Sequence, residues 1–411
     1  MSTLNVELYG ELLGYLKPKG TSFVFETNTA IFERYPIASP LLSLAAPLLP
    51  QLTPLQQKRA MNFFSELLPE GRNLTWLMQS LPPAEQNTYG LLRKYGKDSA
   101  GALIIYDPHD PAAAKKPKRE KVDAGKIRYL LENMPQAPLA NSPLSGKTSL
   151  GGVQGKIVLA RKDDSWYRTH YGSPSTHILK PVVADYPTMI YDEAFGMQFA
   201  QKAGLTDHSV WIENFDGADA LIIERYDRSA DLADGRIHQE DFNQALGAHG
   251  DQKYQEIGGK VSAERIAMML ERFGHLEDVK AFASQLLFAL AIGNLDMHAK
   301  NISIFHYPDA SICLTPTYDQ VPLWHQPTDG RVALAIHGEH WFPSINHSHI
   351  EKELLSWKSQ AFPDKTTVDE FIEHRFDAWR SILDQVPLHD KAYPRLREDI
   401  AGHLARFLSK K

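Results

Sequence analysis

Cysteine is almost missing from this chain: Cys313 is the single one in 411 residues. That excludes an internal disulfide and a zinc site built from several thiolates. Glycine and proline, 26 of each, are too few for a collagenous or wholly disordered protein. No apolar run is long enough to span a bilayer. Residues 38–52 are cut by Pro40, Pro47 and Pro50, and residues 282–292 fall well short of the ~20 needed. The first seven residues lack a basic region followed by an apolar one, so no signal peptide is read. Positive charge is not in excess either. Lys and Arg number 44 against 50 Asp and Glu, a net charge of -6, which argues against a surface that binds nucleic acid or anionic membrane broadly. What remains is a soluble, cytoplasmic globular chain. Its length suggests two to three domains of ~150 residues, and its 43% apolar content supplies their cores.

The chain divides by composition. Residues 1–106 open with alternating Leu4, Val6 and Leu8, then Phe23-Val24-Phe25, which are strand signals, and a helical run over residues 56–68. They predict a small α+β domain. Residues 107–125 carry three prolines, the basic cluster Lys115, Lys116, Lys118, Arg119 and Lys121, and almost no large apolar side chain. They read as a linker or long loop. Residues 126–236 predict a sheet-rich small lobe. It has strands at 157–160, 176–180, 209–215 and 220–226, the last two joined by Asp216-Gly217, and a helix over residues 191–203 stopped by Gly204. Residues 237–411 predict a helical lobe. Its strongest element is Leu276–Ile292, apolar nearly all round and so a buried central helix. Thr367-Val368-Asp369-Glu370 reads as a capping box opening a later helix.

The chemistry follows that central helix. Asp296-Met297-His298-Ala299-Lys300-Asn301 sets ionisable groups between two apolar segments. Its D-x-x-x-x-N spacing suits phosphoryl transfer, in which the Asp accepts a hydrogen bond from the attacking hydroxyl and the Asn ligates Mg2+. Asp319, past a strand-like segment, fits a second oxygen ligand for a hard cation. Upstream, Gly151-Gly152-Val153-Gln154-Gly155-Lys156 offers backbone N–H groups to phosphate oxygens. Ser145-Gly146-Lys147-Thr148 is not a Walker A motif, since Asn141 stands where the first Gly is required. Lys180, near a strand end, could reach phosphates, with Glu193 on the next helix to orient it. Glu224, Arg225 and Tyr226 end the last small-lobe strand, where backbone groups could meet adenine. His337, Glu339, His340, His347 and His349 suggest a metal only weakly. They do not form H-E-x-x-H, and Pro343 and Asn346 are expected to break a helix there.

Together these segments resemble the HipA family of bacterial serine/threonine kinases, the toxins of HipBA-type toxin–antitoxin modules. Residues 63–72 are similar to part of the family's N-terminal domain, and residues 149–156 to its phosphate loop. Residues 176–181 are similar to its lysine strand, 221–228 to its V-E-R-F-D-R segment, 238–242 to a further family segment, 296–301 to D-x-H-x-K-N and 316–319 to P-x-Y-D. Gly151 and Gly155 depart from the family's usual loop residues. The resemblance implies a two-lobed, protein-kinase-like α+β fold behind a small N-terminal domain. It implies ATP and Mg2+ as cofactors and Asp296 as catalytic base, with Asn301 and Asp319 on the metal. Lys180 and the loop backbone would hold phosphates, Glu224 and Tyr226 adenine, while His298 and Lys300 line the nucleotide site. It also implies autophosphorylation at Ser149, with Ser145 a second choice, and a helix-turn-helix, HipB-like antitoxin through which any DNA is met. Family targets include aminoacyl-tRNA synthetases. Two rival readings stand beside it: a small-molecule kinase, and a catalytically silent kinase-like corepressor.

Overall fold

The computed structural model describes residues 2–111, 115–134, 155–232 and 234–410. Ser145, Ser149, Gly151, Gly152, Val153 and Gln154 of the expected phosphate loop lie outside them. The chain forms two compact units. The first is Met1–Pro181, Glu213–Glu240 and His306–Ser311; the second is Val182–Ile212, Asp241–Phe305 and Ile312–Lys411.

In the first unit the opening alternation is a strand, β1 (Leu4–Leu8), followed by β2 (Glu11–Lys19) and β3 (Ser22–Thr27). With β4 (Ile104–Tyr106) they make an antiparallel sheet in the order β3-β2-β1-β4. Leu4, Val6 and Leu8 share one face and are wholly buried, as the two-residue period of a strand requires. Three helices accompany the sheet: α1 (Pro54–Glu66), α2 (Gly71–Gln79) and α3 (Thr88–Tyr95). A capping box of Thr53 and Gln56 starts α1, satisfying N–H groups that a first turn leaves unpaired. Phe64 of α1 then packs 5.4 Å from Phe25 and 5.2 Å from Phe63, ring centre to ring centre.

A six-stranded sheet follows. Its strands are β5 (Lys118–Val122), β6 (Ile157–Lys162), β7 (Ser165–His170), β8 (His177–Pro181), β9 (Val210–Phe215) and β10 (Ala218–Glu224). Their order is β5-β7-β6-β8-β10-β9. The turn between β9 and β10 is the expected one, Asp216 and Gly217 both having positive φ, 49° and 95°. The expected linker at 107–125 is corrected in part: Lys118–Val122 is a strand that pairs with β7. Its charged side chains are exposed because β5 is a sheet edge, where Lys and Glu prevent pairing with another chain. Asp123 then caps α4 (Ala124–Glu132), which buries Ile127, Leu130 and Leu131.

The second unit is built on α5 (Met189–Lys202) and four further helices: α7 (Ala263–Phe273), α8 (Leu276–Ile292), α10 (Lys365–Ile382) and α11 (Leu396–Leu408). The short helices α6 (Phe242–Ala245) and α9 (His347–Ser356) complete the set, α6 following β11 (His238–Asp241). The central helix α8 has the bounds its sequence predicts. Phe288 lies 5.0 Å from Phe199 and 5.3 Å from Trp379, and every residue from Phe282 to Ile292 is buried, so α8 is packed all round over that stretch. The lobe is less purely helical than expected. It also holds the paired strands β12 (Ser303–His306) and β13 (Ile312–Leu314), and the hairpin β14 (Arg331–Ile336) and β15 (Glu339–Trp341).

Two expected helix signals are corrected. The helix α10 starts before Thr367, because Asp364 is its cap and accepts the Thr367 N–H at 2.8 Å. Asn346 does not break a helix but caps α9, as Asn side chains do when they accept from the first turn.

Candidate active site

The site grows out of the end of α8. Gly293 stops the helix in the left-handed conformation, φ 69°, and its carbonyl accepts the Leu323 and Trp324 N–H groups at 2.9 and 3.0 Å. A Cβ here would stand 2.9 Å from the Trp324 Cβ. Asn294, 3% exposed, comes next and joins two loops. Its Oδ1 accepts the Asp296 N–H at 3.1 Å, and its Nδ2 donates to the Asp319 carbonyl at 3.2 Å. Asn301 folds back, its Nδ2 donating to the Asp296 carbonyl at 3.0 Å. That uses the amide's donor side and leaves its oxygen as the group suited to a cation. The Tyr318 hydroxyl donates to the Lys300 carbonyl at 2.7 Å and lies 2.6 Å from the Ser303 hydroxyl.

Asp296, Asn301 and Asp319, separate in sequence, are therefore tied into one backbone network. Asp319 itself has φ 55°, a conformation Asp tolerates better than most residues but still strained. The next residue explains how it is held. Gln320 is wholly buried, and its carbonyl lies so close to Gly196 of α5 that a Cβ there would be 2.1 Å from it. Within the loop Asp296–Asn301 the polar groups differ in access: Asp296 is exposed, whereas His298 and Asn301 are buried. His298 Nε2 is 4.0 Å from Asp296 Oδ2. The donors Asn301 Oδ1 and the Asp319 carboxylate are hard oxygens, the set Mg2+ prefers to sulfur or imidazole.

The first unit carries the other expected residues. Gly155 and Lys156 precede β6. Lys180 is 6% exposed on β8, opposite Leu221 of β10. Glu193 is wholly buried on α5 in the second unit. Glu224 is exposed and opposite His177, and the Tyr226 hydroxyl donates to Gln239 Oε1.

The expectation for Arg225 rests on its backbone; its side chain is committed within the first unit. Its N–H is bound to the Thr176 carbonyl, and its guanidinium to Asp227, the Ser175 hydroxyl and the Ser99 carbonyl. Asp227 also accepts the Gly101 N–H at 2.7 Å and pairs with Arg228. Arg228 in turn pairs with Asp98. Burial alone would raise the Asp227 carboxyl, but Arg225 and Arg228 hold it well below the usual range. Burial also pushes the Arg228 guanidinium down to about 10.

The histidine cluster at 337–349 does not gather as a set. Among the described residues His347 alone joins a possible ligand group, with Glu351 and Asp369. Lys365 already binds both carboxylates there, and Lys410 binds Asp369. Three residues that contact this network carry no role in the sequence reading: Asn294, Gly196 and Tyr254, whose hydroxyl reaches Asp296. A buried Asn placed between a helix-stopping Gly and the motif was the one local signal. The other two are long-range contacts.

This is a kinase-like α+β fold with a hydrogen-bonded platform of Asn294, Asp296, Asn301 and Asp319 in its helical unit. The sequence matches the HipA-like C-terminal domain over residues 148–382 and the HipA N-terminal domain over residues 4–106. It is 34% identical over 287 residues to Y4mE of Sinorhizobium fredii, a protein named as a presumed kinase, covering 68% of each chain. It is 29% identical over 294 residues to the serine/threonine-protein kinase toxin HipA of Shewanella oneidensis, covering 67% of this chain and 66% of that one. Against the solved Shewanella oneidensis HipA, in complex with HipB and its operator DNA, the TM-score is 0.78 at 23% identity, with 99% of this chain and 96% of that chain covered. The chain belongs to the HipA family.

Proposed function

We propose that this protein is an ATP- and Mg2+-dependent serine/threonine protein kinase acting as the toxin of a bacterial toxin–antitoxin module. The observation that carries the reading is the double anchoring of Asn294 and Asn301, which brings Asp296, Asn301 and Asp319 into one hydrogen-bonded platform. Asn301 and Asp319 would hold Mg2+. When bound, the ion would offset negative charge on the phosphate oxygens. Asp296, exposed to solvent, would accept a hydrogen bond from the acceptor hydroxyl and aim it at the terminal phosphate, so that catalysis is mostly positioning. Lys180, Gly155 and Lys156, with the preceding loop, would bind phosphates, while Glu224 and Tyr226 would flank adenine and His298 and Lys300 would line the nucleotide site.

The target is a cytoplasmic protein, an aminoacyl-tRNA synthetase being the first candidate. Ser149, then Ser145, is the expected autophosphorylation site. A HipB-like helix-turn-helix antitoxin would be the partner and the route to DNA.

The test is phosphate transfer from labelled ATP with Mg2+ in a lysate of growth-arrested cells. Label should enter protein, and Asp296→Asn should slow this by roughly 10²–10⁴-fold while ATP affinity is largely kept. Label entering only small metabolites, or an unimpaired variant, would contradict the proposal.

A further inference from the structure

We infer that Tyr254 is a positioning residue for Asp296, fixing the orientation of the carboxylate that receives the acceptor hydroxyl; this rests on the kinase reading above. Tyr254 follows a short turn, Gly250–Lys253, and lies 42 residues before Asp296 in sequence. Its phenol donates to Asp296 Oδ1 at 3.2 Å. Its ring stands edge-on to the His298 imidazole, with centroids 5.3 Å apart and planes at 80°. His298 Nε2 approaches the other carboxylate oxygen, Oδ2, at 4.0 Å. The two oxygens of Asp296 thus face different neighbours.

That distinction matters because Asp296 is the exposed member of its loop, its side chain 51% accessible. The terminal torsion of an Asp is broad and nearly two-fold. A half-exposed carboxylate without a fixed donor would sample orientations that do not point at an acceptor, and misplacement of a reacting group by ~1 Å can cost 10²-fold in rate.

The segment delivering the phenol is itself anchored. The Gln255 N–H donates to the Ala333 carbonyl at 3.3 Å, and the Ala335 N–H donates to Gln255 Oε1 at 2.9 Å. Glu256 pairs with Arg331 at the start of the same strand. Ala333 closes the circuit, since its own N–H donates to the Leu295 carbonyl at 2.9 Å. The path Asp296, Tyr254, Gln255, Ala333, Leu295 and back to Asp296 is a ring of hydrogen bonds and covalent links. It fixes both the backbone and the side chain of the proposed base. Ring packing alone would be served by phenylalanine. The hydroxyl is what reaches the carboxylate.

The test is Tyr254→Phe, which keeps the aromatic contact with His298. It is assayed beside wild type, Asp296→Asn and the double variant for single-turnover phosphate transfer from ATP. Each protein is assayed the same interval below its own melting midpoint, so that any loss of stability does not masquerade as loss of rate. We expect Tyr254→Phe to lower the transfer rate about 10-fold with the KM for ATP unchanged, and to add nothing in the Asp296→Asn background. A rate equal to wild type, or an equal loss in both backgrounds, overturns the positioning role while leaving the kinase reading intact. A wild-type protein that transfers no phosphate overturns the kinase reading and this inference with it.

Discussion

Replacing Asp227 by Asn should destabilise the first unit more than any change on its surface. Two buried carboxylates, Asp98 and Asp227, face three buried guanidiniums, Arg225, Arg228 and Arg236. Asp227 is 2% exposed and Arg225 is 4% exposed. Asp227 alone accepts both arms of Arg225, at 3.0 and 2.7 Å, and the Gly101 N–H. An Asn keeps the shape but leaves three cations against one anion. Breaking one member of a buried ion pair costs about 3–5 kcal/mol, because the remaining charge stays desolvated. For a folding unit of roughly 200 residues that is a fall of about 10 °C in melting temperature. Differential scanning calorimetry of the full chain reads it directly. Raising salt should not close the gap, since ions screen buried charges poorly. The double variant Arg225→Met with Asp227→Leu should recover much of the loss, because the pair is then removed together. The KM for ATP should rise in Asp227→Asn, since Arg225 sits between Glu224 and Tyr226. A melting temperature within about 2 °C of wild type would refute the reasoning and mark the network as energetically idle.

Other outcomes follow from the same structure. Asn294→Ala removes the donor to the Asp319 carbonyl and the acceptor for the Asp296 N–H; phosphate transfer should fall by about 10–100-fold, measured against an unchanged far-ultraviolet circular dichroism spectrum. Gly293→Ala forces a Cβ onto φ 69° beside Trp324 and should cost more than ~1 kcal/mol in urea unfolding. Stability should also fall in acid. Burial pushes His238 down to about 3, helped by His306, and His177 down to about 4, from an ordinary 6.5. The unfolded rings then take up protons first, so this stability is complete above pH ~6.5 and is lost as pH falls toward those folded values. At pH 5 each ring should cost about 2 kcal/mol, and His238→Gln should flatten the slope in urea titrations between pH 7 and 5.

Much of this architecture was legible because it is local. The apolar run of α8 and its Gly293 stop, the β9–β10 turn at Asp216-Gly217 and the Asp296 to Asn301 spacing each sit within a few residues. The parts that were not legible depend on partners far away. The strand β5 is read as a linker because an edge strand needs charge rather than apolar alternation, and its partner β7 lies some fifty residues on. The side chain of Arg225 is another such part, since its charge answers Asp227 and the distant backbone of Ser99. Thr367 resembles a helix cap, but Asp364 supplies a better acceptor one turn earlier. Tyr254 carries no motif at all, and only folding brings its hydroxyl to Asp296.

The central claim is that Asn301 and Asp319 bind a divalent cation together with the triphosphate, while Asp296 acts on the acceptor. Calorimetric titration of a non-hydrolysable ATP analogue, with Mg2+ and then with a chelator, tests it most directly. Binding should depend on Mg2+ in the wild type and in Asp296→Asn, and lose that dependence in Asn301→Ala and in Asp319→Ala. Equal affinity with and without Mg2+ in the wild type, or Mg2+ dependence surviving both alanine variants, would contradict it.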